Sequence, residues 1–489
     1  MIWDHDDDKP REECGVFGIY GDEEACLLTA LGLHALQHRG QEACGIATFD
    51  GKFFHNERHL GLVGDHFGGG NMRERLAGHI AIGHNRYSTS GGTALRNIQP
   101  IFADLPTGGF AVAHNGNLTN ARALREKLVQ DGRLFQSTMD TEVILQLMAR
   151  SHRAGLIDRF IDAMQHIEGG YALVAVAEGM LIGARDPVGL RPLVLGKLAG
   201  AYILASETCA LDIIGAEFIR EVENGEVVVI TEEGVQSLRA FPKRPAQPCV
   251  FEYVYFARPD SIVQGRSVYE VRRRMGHQLA AETSADADVV VPVPDSGVPA
   301  AIGFSEASGI PFQLGIIRNH YVGRTFIEPT QLGRELSVSK KHSPNRAVLE
   351  GKRVILVDDS IVRGSTSTKI VKMVMEAGAR EVHFRSASPP IEYPDRYGID
   401  MAGRDELMAA NNDLPAMAAK LGATSLGFLS VDGLYKAIGG LDRNADLPQF
   451  ADHCFTGEYP TQLVDDAERK SDKHMQLSLL EERPLRETA

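Results

Sequence analysis

Nothing in this 489-residue chain approaches the roughly 20 consecutive apolar residues that a membrane-spanning helix requires. Cysteine is sparse. The six residues Cys14, Cys26, Cys44, Cys209, Cys249 and Cys454 show no framework spacing, which excludes a disulfide scaffold and fits a reducing cytoplasm. Positive charge is in deficit: the net charge is −14, which excludes a general binder of nucleic acid or anionic membranes. Any anionic ligand must therefore be held by local loops. The start of the chain has no apolar stretch; residues 1–13 instead carry Asp4, Asp6, Asp7, Asp8, Glu12 and Glu13, so they are not a secretory signal. No internal repeat is present.

What is present is an ordinary globular composition, 43% hydrophobic and 24% charged, long enough for two or more domains with a core each. Short apolar runs at 15–20, 45–49, 79–84, 110–114, 171–178, 180–185, 201–206 and 226–231 predict strands. Helical periodicity at 25–37, 120–130 and 141–152 interrupts them. Strand runs with separate helices predict a layered α+β domain. A stretch rich in proline and charge at 241–248 predicts a linker. Beyond it, helices at 268–283, 298–308 and 366–377 alternate with apolar strands at 288–291 and 354–357, which predicts an α/β domain with a parallel sheet.

The most specific string runs from Val354 to Ser367. Four apolar residues lead into Asp358-Asp359, and the turn Arg363-Gly364-Ser365-Thr366-Ser367 then opens a helix. Open α/β sheets bind ligands at the carboxyl ends of their strands, and a helix N-terminus with exposed N–H groups favours an anion. No Gly-Lys-Ser/Thr follows, so this is not a Walker loop. Adjacent acids before a phosphate-holding turn suit a sugar phosphate, with the carboxylates on ribose hydroxyls and the turn on the 5′-phosphate. A second loop, Pro294-Asp295-Ser296-Gly297, follows another buried strand and suits pyrophosphate. Between the two, the basic segment 318–344 has the composition of a lid.

At the other end, Cys14 opens Cys14-Gly15-Val16-Phe17-Gly18. If the leader is removed, this residue carries a thiol beside its own α-amine, whose ordinary pKa is about 7.7–8.0 and which can serve as the base. Four further strings accompany it: His38-Arg39-Gly40-Gln41-Glu42, His84-Asn85-Arg86-Tyr87-Ser88-Thr89, His114-Asn115-Gly116-Asn117-Leu118 and Met139-Asp140-Thr141-Glu142. Together they resemble the N-terminal-nucleophile glutaminase domain of class II amidotransferases. Joined to the Asp358–Ser367 string, the chain over roughly 14–460 resembles the glutamine phosphoribosylpyrophosphate amidotransferases.

The resemblance implies a propeptide at 1–13, a glutaminase domain at 14–245, a type I phosphoribosyltransferase domain at 249–465 and a charged tail at 466–489. It implies Cys14 as nucleophile, an oxyanion hole from Asn115 and the Gly116 N–H, and glutamine held by Arg39, Arg86 and Asp140. Phosphoribosylpyrophosphate would be held by Asp295, Ser296, Asp358, Asp359, Arg363, Gly364, Ser365, Thr366 and Ser367, with Mg²⁺ at Ser296, Asp358 and Asp359. Purine nucleotides as inhibitors and a homotetramer are implied likewise. Some members hold a four-cysteine iron–sulfur cluster. This chain keeps Cys249 and Cys454 but has Asp395 and Ala451 at the other two positions, so no cluster is expected. A phosphoribosylpyrophosphate-sensing regulator without catalysis, and a glutaminase serving a hexose phosphate or aspartate, are the competing readings.

Overall fold

The computed structural model describes residues 14–87, 94–319, 342–401 and 403–469. The leader, most of the lid segment and the tail beyond 469 lie outside the described residues. No helix among the described residues is long and apolar enough to cross a membrane.

The chain divides into two compact units. The first contains strands β1 (Gly15–Tyr20), β2 (Ala43–Phe49), β3 (Phe54–Leu60), β4 (Ile80–Arg86), β5 (Ile101–Leu105), β6 (Gly108–Leu118) and β7 (Gly169–Ala177). It continues with β8 (Met180–Arg185), β9 (Val194–Leu198), β10 (Ala201–Ala205), β11 (Glu217–Glu221), β12 (Glu226–Thr231) and β13 (Gly234–Arg239). They form a seven-stranded sheet ordered β11-β9-β10-β1-β4-β2-β3 and a six-stranded sheet ordered β13-β12-β8-β7-β6-β5. Alternation along each strand assigns the layers. Val16, Ile80, Ile82, Val174 and Val176 share one core between the sheets. Phe17, Ile19 and Ala81 face outward under helix Ala25–Ala35, and Leu173 and Ala175 face outward under helices Thr141–Arg150 and Leu156–Met164. The unit is a four-layer sandwich of helix, sheet, sheet and helix.

Strands β3, β5, β9, β11 and β13 extend beyond the sequence expectation, and four of these five are sheet edges. Their half-exposed patterns dilute the apolar signal that marks the interior strands. The end of the chain also differs from the expected boundary at 465: residues 396–399 and the described residues 459–469 group with the first unit. Arg191 donates to the Tyr397 carbonyl at 3.1 Å, and Asn117 to that of Arg396 at 2.9 Å. Asp465 accepts from the Arg122 and Ala123 amides at 3.0 and 3.1 Å, satisfying the open start of helix Ala121–Gln130.

The second unit carries the small ribbons β14 (Ile262–Val263) with β15 (Arg266–Ser267), and β17 (Ile316–Arg318) with β18 (His342–Pro344). Its centre is the sheet of β16 (Val289–Pro292), β19 (Arg353–Asp358), β20 (Glu381–Ser386) and β21 (Ser425–Phe428), parallel throughout and in that order. Val291, Leu356 and Phe384 pack on helices Ser365–Glu376 and Leu414–Leu421. Helices Val268–Glu282 and Val298–Ser308 pack together so closely that a Cβ on Gly276 would lie 1.9 Å from the Ala300 carbonyl oxygen. Gly276→Ala must push these helices apart. We expect it to destabilise the unit by about 1–3 kcal/mol, read as a lowered urea midpoint; an unchanged midpoint would contradict this packing.

Candidate active sites

In the first unit Cys14 precedes β1 and is 7% exposed, its thiol donating to the Tyr87 carbonyl at 3.6 Å. Burial pushes the thiol up to about 11. Arg86 opposes that rise, while Asp140 and Glu42 add to it. The thiol is therefore protonated at neutral pH and needs a base. Arg86 ends the neighbouring strand β4, buried, and its burial lowers its own pKa.

Asp140 stands at the start of helix Thr141–Arg150. Its carboxylate accepts from the Thr141 amide at 2.8 Å and from the Leu118 amide at 3.0 Å, and faces His114 Nδ1 at 3.5 Å. Burial would raise its pKa, but His114 and these N–H donors outweigh that and hold it below the ordinary carboxylate value. His84 links β4 to β6 through the His114 carbonyl at 3.1 Å. Burial drives the His84 pKa down to about 3, so the ring is neutral.

Asn115 and Gly116 pair with Ala172 and Tyr171 on β7. Asn115 has no exposed surface, yet neither its amide oxygen nor its amide nitrogen has a hydrogen-bond partner. Gly116 has φ +136, and a Cβ there would lie 2.1 Å from the Gly170 carbonyl oxygen, so only glycine fits. Arg39 is fully buried, with Nη1 on Glu207 Oε1 at 2.6 Å and Nε facing the Cys14 carbonyl at 3.5 Å. The sequence expectation missed Glu207 altogether, because one glutamate after a strand carries no local signal.

In the second unit β16 and β19 run in register, Pro292 beside Val357, and the Val293 amide donates to the Val357 carbonyl at 2.8 Å. Both expected phosphate loops therefore leave the same carboxyl edge. Asp358 and Asp359 are 1% and 2% exposed; Asp358 Oδ1 accepts from the Asp359 amide at 2.9 Å, and Asp359 Oδ1 from Ser360 Oγ at 2.6 Å. Gly364 precedes helix Ser365–Glu376, whose first turn has no side-chain cap and presents Ser365, Thr366 and the buried Ser367. Helix Val298–Ser308 starts likewise after Asp295, Ser296 and Gly297. Asp295 pairs with Arg318, and Arg363 with Glu406 at 2.8 Å. Of the lid cations, Arg324, Arg334, Lys340 and Lys341 lie outside the described residues.

Elsewhere in this unit three segments meet. Cys249 bridges Ala451, and the Glu392 and Tyr393 amides donate to the Cys454 carbonyl at 3.0 and 3.1 Å. Asp395, His453 and Cys454 bring their donor atoms within 4.8 Å of one another, with His453 Nε2 and Asp395 Oδ1 at 2.7 Å. A carboxylate, an imidazole and a thiol do not make the four-thiolate set of an iron–sulfur cluster.

Residues 84–212 match a glutamine amidotransferase domain family. An amidophosphoribosyltransferase of Rhizobium etli is 60% identical over 94% of both chains. A chloroplastic amidophosphoribosyltransferase of Vigna aconitifolia is 50% identical over 94% of this chain and 93% of its own. Among solved structures, a glutamine phosphoribosylpyrophosphate amidotransferase of Bacillus subtilis complexed with ADP and GMP superposes with a TM-score of 0.88. It is 46% identical over 93% of this chain and 98% of its own.

The buried thiol yields one prediction for the chain that still carries residues 1–13. Alkylation of Cys14 by iodoacetamide, followed by peptide mass, should be slow at pH 7 and climb with pH toward about 11. Half-maximal labelling near the ordinary cysteine value would contradict the burial.

Proposed function

The chain belongs to the amidophosphoribosyltransferases, and from that premise we propose how its residues divide the reaction. The enzyme takes nitrogen from glutamine and uses the ammonia to displace pyrophosphate from 5-phosphoribosyl-1-pyrophosphate. The product is 5-phosphoribosylamine, the opening step of purine synthesis. Family membership favours catalysis over the regulator reading.

The glutaminase half rests on one observation above the rest: Asn115, fully buried, keeps both amide atoms without a partner beside a glycine of positive φ. That arrangement suits an oxyanion hole, with Asn115 Nδ2 and the Gly116 N–H aimed at charge that develops on the amide oxygen of glutamine. Removal of residues 1–13 frees the Cys14 amine. The amine takes the thiol proton, Sγ attacks the glutamine carboxamide carbon, and ammonia leaves with a proton returned by the amine. Water then cleaves the thioester to glutamate. Arg86 suits the α-carboxylate of glutamine through its planar guanidinium, and Asp140 its α-ammonium. Arg39 we place behind the nucleophile rather than on the substrate.

In the second unit Asp358 and Asp359 accept the ribose hydroxyls, and the turn Arg363–Ser367 holds the 5′-phosphate with backbone N–H groups and hydroxyls. Asp295 and Ser296 face the pyrophosphate. The oxygen donors of Ser296, Asp358 and Asp359 suit a hard cation such as Mg²⁺, which when bound would offset the charge on pyrophosphate oxygens. Purine nucleotides are the proposed inhibitors, in keeping with the ADP and GMP held by the Bacillus subtilis relative. We propose a homotetramer in the cytoplasm; six free cysteines accord with a reducing compartment.

Pyrophosphate release with Mg²⁺, compared between glutamine and ammonium chloride as donors, tests the division of labour. Wild type should use both donors, and Cys14→Ala ammonia only. Glutamine-dependent release retained in a Cys14→Ala variant would reject Cys14 as the glutamine nucleophile. Conversely, Asp358→Ala with Asp359→Ala should lower synthesis from either donor by at least about 10²-fold while glutamine hydrolysis persists. Retained synthesis would reject the ribosyl site.

A further inference from the structure

Residues 206–207 follow β10, which pairs with β1 from Phe17 opposite Ala205. Ser206 prolongs that ladder: its amide donates to the Val16 carbonyl at 3.0 Å, and its Oγ accepts from the Val16 amide at 3.0 Å. The next residue, Glu207, therefore arrives beside the start of β1. Its carboxylate is 2% exposed and engaged at both oxygens. Oε1 accepts from Arg39 Nη1 at 2.6 Å and faces His38 Nε2 at 2.7 Å, while Oε2 lies 3.7 Å from the Cys209 thiol. Arg39, with no exposed surface, turns its Nε to the Cys14 carbonyl at 3.5 Å.

We propose that Glu207 is a positioning residue for the Cys14 nucleophile, acting through Arg39. The inference rests on the Cys14 assignment above. Once residues 1–13 are removed, Cys14 has no peptide bond on its amino side. Its backbone is then held only from its own carbonyl onward, so whatever fixes that carbonyl fixes the directions of both the amine and the thiol. Arg39 reaches the carbonyl while its guanidinium is anchored on Glu207 at 2.6 Å, and removing one partner of a buried ion pair leaves the other charge uncompensated. Glu207 supplies the charge and the anchor. Its oxygens engage Arg39, His38 and Cys209, so its effect should fall on the chemical step and not on substrate binding.

The test uses the full-length chain, processed to begin at Cys14 as verified by intact mass, with glutamine hydrolysis and ammonia-dependent synthesis measured on the same preparations. Glu207→Gln keeps the shape and removes the charge. We expect its glutaminase kcat to fall about 10- to 100-fold, the scale of a small misplacement of a reacting group, with the KM for glutamine unchanged. Ammonia-dependent synthesis should stay at the wild-type level, showing that the protein is folded. The double variant Arg39→Gln, Glu207→Gln removes the unpaired charge, so a merely structural defect would be repaired in it; positioning predicts that kcat stays low. Wild-type kcat in Glu207→Gln, recovery in the double variant, or a raised KM with unchanged kcat would each overturn the proposal, the last by returning Arg39 to glutamine binding. Wild-type protein without glutaminase activity would instead reject the Cys14 assignment, and the role of Glu207 with it.

Discussion

A guanidinium with no surface in water keeps its charge and must be compensated from within, and at the start of β1 the first unit meets this with one fully buried pair, Arg39 with Glu207. The pair ties the turn Gln37–Arg39 to the end of β10, and between them lies the residue that opens β1. Asp140 meets the same demand differently, through two main-chain N–H donors and His114. Because its folded pKa is depressed, it contributes stability that is present above the unfolded carboxylate value and is lost as pH falls through the folded one. Against this background Asn115 stands out. A buried polar group left unmade costs about 1–3 kcal/mol, and nothing in the fold of the strand requires an asparagine there. A cost that packing does not explain is most simply assigned to chemistry.

The second unit solves a different problem. Its candidate ligand-holding groups gather where strands end and helices begin. β16 and β19 lie side by side in parallel, which brings two loops and two uncapped helix starts to one edge without any long-range fold signal. Parallel order makes this automatic: every strand of the sheet points its carboxyl end the same way. The fully buried Val290, Ile355 and Val357 then pay for the edge, because a sheet covered on both faces keeps that end rigid.

Much of this was legible in the residues, and the exceptions share a cause. Strands β1, β8 and β12 fell where the apolar runs placed them, because interior strands carry continuous hydrophobic sequence. Edge strands such as β3, FHNERHL, alternate half-exposed polar residues and resemble loops. Cys14, Arg86, Asn115 and Asp140 were legible because each sits in a compact motif. Glu207 was not: it lies 168 residues from Arg39, and no local pattern encodes a partner across that separation. The return of residues 396–399 to the first unit was hidden for the same reason, since its contacts with Asn117, Arg191 and Thr461 all span long sequence separations.

A chain of net charge −14 that binds a substrate with three phosphoryl groups invites an electrostatic objection, and the structure answers it by range. At physiological ionic strength exposed charges are screened beyond about 8 Å, so the overall balance opposes approach only weakly. Inside that distance the local inventory decides. The start of helix Ser365–Glu376 has no acidic residue in its first turn, and neither has that of Val298–Ser308. A helix start without acidic side chains favours an anion. The acids that do stand at this edge, Asp358 and Asp359, are spent partly on their own neighbours' N–H and hydroxyl donors, which spreads their charge. Asp295 is neutralised by Arg318. The edge is therefore less negative than its sequence, and a cation shared between carboxylate and pyrophosphate would complete the balance.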